Sequence, residues 1–527
     1  MKLPGKIEQY WNTKPLQTIL ILAITIRIIT AIFSQGYGMH DDHFIAIEEP
    51  WSWTQGEDYD GWLPGTKGVE SKPSIYSFFY PGFNYLMFEG MDAIGMHNPK
   101  AKMMVLRLIL ALLSTLIVYY GYKITEKLSN KKNAKQVGLM LAVLWFLPFF
   151  GVRNLVEMIA TPFLLWSTWI LLKSDYLEKN NSVLFTTFFT AGLIMGLALS
   201  IRFQAIIYLG GIGLALLFQK KIWQAVIFGF GGIISFALIQ GTLDYMVWEQ
   251  PFAVLKGYFQ YNMEAKGLYG NQKNILMYIE LIPGLLIPPI GALLFFGFFL
   301  KAKKHLLVFL PSVLFLAFHT YFPNRQERFI LTIVPMVVML GVIGWNSFYS
   351  NSTWWSKHQK LHNGFYKFFW IVNTLLLIVF SFTYSKKSRV EAMYYFWNKP
   401  EEVTSIIIDD TGRRETMMMP VFYAGKAINT LTISDWDSTD TELINDYSYI
   451  QLSHSREILR NTSKVIPPQY VVFVEPIELE RRVEIMKQYY PNLVYEGEVK
   501  PSIVDKVMKA LNPNNKNEDF YIYKTGI

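Results

Sequence analysis

The sequence predicts an α-helical polytopic membrane protein of about eleven transmembrane helices, with a C-terminal extracytoplasmic α/β domain. Three observations carry that prediction. Of 527 residues, 52% are hydrophobic, 16% aromatic and only 17% charged, whereas about a quarter of an average soluble protein is charged. Apolar runs long enough to cross a bilayer, roughly 17–25 residues each, recur from Leu16 to Tyr384. Beyond Val390 the pattern changes to short β-rich runs alternating with helix-like stretches. The chain has no cysteine, which excludes disulfide staples, Cys-ligated zinc, iron–sulfur clusters and thiol nucleophiles.

The apolar runs cover residues 16–34, 103–122, 137–152, 155–173, 182–200, 203–218, 222–242, 274–300, 305–320, 328–347 and 366–384. The first follows a basic start, as a signal peptide would. Its length and the passes after it mark a retained anchor. Arg27 inside it is unusual; such an arginine snorkels, finds a local pair or contributes to a polar cavity. Lysines set the orientation. Lys2, Lys6 and Lys14 precede the first run, and alternate connections carry Lys123 to Lys135, Lys220 and Lys221, Lys301 to Lys304, and Lys357 to Lys367. The positive-inside rule places these in the cytoplasm. The connection 35–102, rich in Asp and Glu, then faces outward, and an odd helix count sends the C-terminal part outside as well. The expected organisation is a transmembrane catalytic domain over 1–385, including the outer loop 35–102, and an extracytoplasmic domain over 390–527. In the latter, β-rich runs at 404–408, 427–433, 470–474 and 520–523 alternate with a helical stretch at 478–490.

On this topology, unusual polar residues gather on the outer side. His40, Asp41, Asp42 and His43 follow the first run, with Glu49 downstream. Arg153 and Glu157 share a helix face between the third and fourth runs. Arg202 lies between the fifth and sixth, Asp244 follows the seventh, and His319, Arg325, Glu327 and Arg328 lie between the ninth and tenth. A charge at membrane depth costs about 2.5–3.5 kcal/mol, so the gathering suggests a polar cavity at the outer interface. The plainer alternative, solvated loops, weakens where arginines abut apolar runs, as in Ile201-Arg202-Phe203 and Arg328-Phe329-Ile330. Guanidinium groups bind phosphate bidentately and stay charged. A carboxylate can take the proton of an acceptor hydroxyl. A phosphate leaving group needs positive charge more than it needs an acid. One base and an arginine cradle would therefore suffice for an inverting glycosyl transfer from a polyprenyl-phosphate sugar.

Four stretches carry a family resemblance. They are His40-Asp41-Asp42-His43 with Ile47-Glu48-Glu49-Pro50; Arg153-Asn154-Leu155-Val156-Glu157; Asp244 with Gln260-Tyr261-Asn262 and Gly267-Leu268-Tyr269-Gly270; and Phe322-Pro323-Asn324-Arg325-Gln326-Glu327-Arg328-Phe329 with Pro335. In this order, over residues 16–345, they resemble the multi-spanning mannosyltransferases of glycosyltransferase family 22, of the GPI-anchor and N-glycan assembly type, which have the GT-C fold and bacterial relatives. The resemblance implies Asp42 as catalytic base, with Asp41 competing because it stands where the family has Pro. It implies substrate-binding places for His40, His43, Glu49, Arg153, Glu157, Arg202, Asp244, Tyr269, His319, Arg325, Glu327 and Arg328. The family's His-Lys-Glu is Asn324-Arg325-Gln326 here, which keeps the charge and loses the acid unless Glu327 replaces it.

The implied partners are membrane lipid, a polyprenyl-phosphate-linked sugar as donor and a glycan or glycolipid acceptor, with no nucleic acid. No cofactor is firmly implied. A divalent metal held by His40 to His43 is the alternative, but four consecutive residues do not readily converge on one ion. A transporter or flippase of lipid-linked glycans is the alternative function. It would spread charges through the membrane midplane, whereas these gather at one face. A bacterial inner membrane is favoured over the endoplasmic reticulum.

Overall fold

The computed structural model describes residues 5–65, 72–175, 184–267, 274–410, 418–433, 451–452, 456–457, 467–512 and 515–527. Every apolar run is helical over most of its described length. Among the described residues, six helices are long and apolar enough to span a membrane: Pro15–Phe33, Pro99–Leu128, Val156–Lys173, Ile222–Trp248, Glu327–Asn351 and Gln359–Ser381. Met277–Leu285 and Ile290–Leu300 form a bent pair at 116° that counts as a seventh, and Phe185–Ile201, Ala205–Phe218 and Leu306–Tyr321 are shorter apolar helices. The third run is broken into Lys131–Val143 and Phe146–Gly151.

The chain divides into two compact units. The first comprises Met1–Phe33, Ile75–Phe79 and Leu106–Phe382. Its helices approach closely where side chains are absent. A Cβ on Gly196 of Leu184–Ile201 would lie 2.4 Å from the carbonyl oxygen of Gly232 on Ile222–Phe236, and one on Gly344 would lie 1.9 Å from that of Gly297. Small residues at helix contacts are the usual means of packing in lipid, where apolar burial drives little association between helices.

Arg27 is buried within this unit and serves the break in the third run. Its guanidinium donates to the carbonyls of Leu141 at 3.2 Å and Ala142 at 3.1 Å, and to Ser114 Oγ at 3.1 Å. Asn373 completes the cap, donating to Val143 O at 2.8 Å and accepting from Trp145 N at 3.0 Å. Helix-end carbonyls have no intrahelical donor, and no water is at hand in a bilayer core. The arginine therefore caps backbone carbonyls within the bundle.

The second unit comprises Ser34–Ser74, Tyr80–Val105 and Thr383–Ile527. The segment after the first helix thus packs with the C-terminal residues, where the sequence alone grouped it with the membrane part. The reason is specific: Gln35 O accepts from Ser385 N at 3.0 Å, Ser34 Oγ donates to Thr383 O at 3.1 Å, and Glu48 accepts from Phe422 N. The unit's sheet has the strands β1 (Ser405–Asp409), β2 (Asn429–Ile433), β3 (Gln451–Leu452), β4 (Arg456–Glu457), β5 (Tyr470–Val474), β6 (Val494–Val499) and β7 (Phe520–Lys524), in the order β4-β3-β2-β1-β5-β7-β6. β1 pairs in parallel with β2 and β5, and the outer pairings are antiparallel. β1 and β5 are buried throughout, as expected of parallel strands covered on both faces. Helix Leu479–Tyr489 lays Val483 and Met486 on Ile407, Val471 and Phe473. The α/β character expected beyond residue 390 is therefore present.

Candidate active site

In the second unit, the acidic segment begins with one helical turn, His40–His43, continues as a π-helical turn, Phe44–Glu48, and ends as helix Glu49–Thr54 with Pro50 in its first turn. Asp42 is buried, and its Oδ2 accepts from Gly38 N at 3.1 Å. Asp41 is half-buried, and His40 is exposed and stacks on Phe44 at 4.3 Å. Tyr80 lies within electrostatic range of Asp42; burial, and then that charge, push its phenol up.

His43 is fully buried between the rings of Tyr37 at 4.6 Å and Tyr423 at 5.4 Å. Its Nε2 lies 2.8 Å from Glu48 Oε1. Glu48, also fully buried, accepts the Phe422 N–H on both oxygens, at 2.9 and 3.1 Å. His43 therefore anchors the segment to residues 422–423; it has no exposed surface with which to touch a substrate. Glu48, Phe422 and Tyr423 were absent from the residues expected in the site. At about 100° per residue in an α-helix, positions 43 and 48 would diverge, and the π-turn brings them together.

Glu49 is likewise held. Its carboxylate accepts from Asp60 N at 2.6 Å and Trp53 Nε1 at 3.2 Å. Burial, reinforced by the charges of Asp60 and Asp58, raises its carboxyl well above the ordinary range. Asp58 accepts from Trp62 N and Leu63 N, both at 2.9 Å, closing the turn.

In the first unit, Glu157 occupies the first turn of helix Val156–Lys173, where the helix dipole favours a negative charge. It is fully buried, pairs with Arg202 and lies 3.8 Å from Arg328 Nε. Both guanidiniums lie near the Phe329 ring, at 5.0 and 5.5 Å. Arg328 Nε also donates to Gln326 Oε1 at 2.8 Å, and Tyr278 OH donates to Gln326 O at 2.9 Å. Arg202 Nε and Nη2 are buried and make no hydrogen bond among the described residues. Two guanidiniums thus approach one carboxylate.

The other expected residues take varied places. Arg325 donates through Nε and Nη2 to Thr320 O, at 2.9 and 2.7 Å. Arg153 donates to Phe149 O at 2.8 Å and lies 3.5 Å over the Phe149 ring. His319 is buried, 4.1 Å from Phe315 and 5.9 Å from Phe329. Asp244 accepts from Gln240 Nε2 at 2.7 Å and Val254 N at 3.1 Å, which fixes the start of helix Ala253–Glu264. Glu327 is exposed, and Tyr269 lies outside the described residues. Asn324, where the family has His, ties Gly267 N at 2.7 Å to Ala265 O at 2.8 Å.

Comparison with known proteins agrees with this architecture. The chain is similar to ArnT from Cupriavidus metallidurans bound to undecaprenyl phosphate, with TM-score 0.59 and 10% identity over 96% of this chain and 97% of that one. The apo state of ArnT gives TM-score 0.60 at 10% identity, over 98% of each chain. The apo Archaeoglobus fulgidus oligosaccharyltransferase gives 0.51 at 12% identity, over 91% of this chain and 72% of that one. These likenesses show the GT-C fold. In sequence, the chain is 25% identical over 237 residues to the Dol-P-Man:Man(7)GlcNAc(2)-PP-Dol alpha-1,6-mannosyltransferase of Saccharomyces cerevisiae. That alignment spans 42% of this chain and 41% of the yeast protein. The Alg9-like mannosyltransferase family model matches residues 18–410, and the chain belongs to that family.

Proposed function

We propose that the chain is an inverting glycosyltransferase, a mannosyltransferase, that moves a sugar from a polyprenyl-phosphate donor to a hydroxyl of a lipid-linked or surface glycan. The proposed setting is the outer face of a bacterial inner membrane, with eleven crossings and an extracytoplasmic C-terminal domain. Family membership supports the reaction class, and the undecaprenyl phosphate in the ArnT crystal structure supports the donor class. The observation that carries the donor reading is the shared Glu157 carboxylate. It leaves Arg202 with buried, unengaged N–H groups beside a second guanidinium, a receptor suited to a phosphate. Arg153 and Arg325 supply further positive charge in the same unit.

In the proposed step, Asp42 accepts the proton of the acceptor hydroxyl. The acceptor oxygen bonds to the anomeric carbon as the carbon–oxygen bond to phosphate breaks, and polyprenyl phosphate leaves with the electron pair. No resident metal is assigned. Asp41, half-buried beside Asp42, is the competing base. Transport of a lipid-linked glycan is not favoured, since the family is one of transferases.

The test uses the purified full chain in vesicles, with labelled polyprenyl-phosphate mannose and a lipid-linked glycan acceptor. Asp42→Asn is expected to slow transfer by about 10²–10⁴-fold with donor binding unchanged, and Arg202→Gln to weaken donor binding. Full transfer by Asp42→Asn overturns the assignment of the base.

A further inference from the structure

We infer that the C-terminal helix Ile503–Leu511 is a lipid-surface contact, seated with its apolar face in the outer interface of the bilayer. Its amphipathicity is inverted relative to an ordinary surface helix. Ile503 is 82% exposed, Val507 51% and Leu511 76%. These positions follow one another at four-residue steps and form one stripe along the helix. Its polar side is turned inward. Asp505 is buried, shares a capping box with Ser502, and accepts from the backbone N–H groups of Lys386 at 3.0 Å and Lys387 at 3.1 Å. Lys509, on the same side, pairs with Glu475 at 2.7 Å. A helix that turns Asp505 and Lys509 toward the protein and a stripe of three aliphatic side chains outward presents a face for an apolar partner.

Two observations identify that partner as lipid. First, the residues that hold Asp505 directly follow a membrane-spanning segment. Gln359–Ser381 is apolar enough to cross a bilayer, and Lys386 comes five residues later, a tether of at most about 18 Å of extended chain. Second, Lys506 is exposed next to the stripe; Lys500, just before the helix, is half-exposed and pairs with Glu498 at 2.6 Å. An exposed lysine flanking an apolar face suits a surface with anionic headgroups, where such a helix buries its face about 5–10 Å deep. The role does not depend on the proposed reaction.

The absence of cysteine makes the test direct. Single-cysteine variants Val507→Cys and Leu511→Cys of the full chain are labelled with an environment-sensitive fluorophore. They are reconstituted in phosphatidylethanolamine–phosphatidylglycerol vesicles that carry a nitroxide near the top of the acyl chain. Arg481→Cys, whose native side chain is 70% exposed, is the aqueous reference. The expected result is quenching by the lipid nitroxide about twofold or more above the reference at both positions, with matching protection from aqueous iodide. Iodide quenching equal to the reference overturns the inference. So does protection from both quenchers, which means that protein, from this chain or a second copy, covers the stripe.

Discussion

The acidic segment and the arginine cluster hold their charges by opposite means. Around the acids, neutral backbone donors do the work: Gly38 N on Asp42, Phe422 N on Glu48, Asp60 N on Glu49. His43 Nε2 joins the backbone donor at Glu48, at 2.8 Å. Around the arginines, carbonyls orient Arg153 and Arg325, while Arg202 and Arg328 converge on one carboxylate. Backbone N–H groups hold a carboxyl group in a fixed direction, as a base needs. Arg202, with two buried N–H groups unengaged among the described residues, keeps donors for a further anion. The contrast teaches which region suits a base and which a phosphate.

The comparison breaks most visibly at Glu157. Replacing it with Gln leaves two buried guanidiniums without their counter-charge, and loss of one partner of a buried pair costs about 3–5 kcal/mol. Thermal unfolding of Glu157→Gln in detergent is expected to show that loss, with partial recovery on adding a phosphate-bearing polyprenyl lipid. An unchanged melting temperature would mean that the pair is not what holds the arginines. A smaller effect is expected at Glu48. Hydrogen bonds to charged groups are worth about 1.5–3 kcal/mol, so Glu48→Gln should loosen residues 40–48 and lower kcat with little change in donor KM. A rise in donor KM alone would contradict the anchoring role.

The smallest effect concerns pH. The raised Glu49 carboxyl binds its proton more tightly in the folded protein than in the unfolded chain. Its contribution to stability is fully present below the ordinary glutamate range and is lost as pH rises through the raised value. Glu49→Gln should flatten that part of the melting-temperature profile; an unaltered profile would refute the burial argument.

Much of this architecture was legible in the residues. Apolar runs located the helices, and arginines abutting apolar runs pointed to Arg202 and Arg328. What escaped depended on contacts between residues distant in sequence. Arg27 reads as an anomaly until the broken helix at Leu144 supplies carbonyls for it to cap. His43 reads as a substrate ligand until the π-turn delivers Glu48 and residues 422–423 supply an N–H and a ring. Nothing in the local pattern of residues 35–102 announces that Ser34, Gln35 and Glu48 bond to residues 383–422.

The central claim, a single displacement at the anomeric carbon with Asp42 as base, is tested most directly by stereochemistry. A polyprenyl-phosphate mannose of defined anomeric configuration is given to the reconstituted protein, and the new linkage is assigned by nuclear magnetic resonance. The account predicts inversion, with no labelled sugar retained on the protein. Retention of configuration, or a sugar–protein adduct, would contradict it.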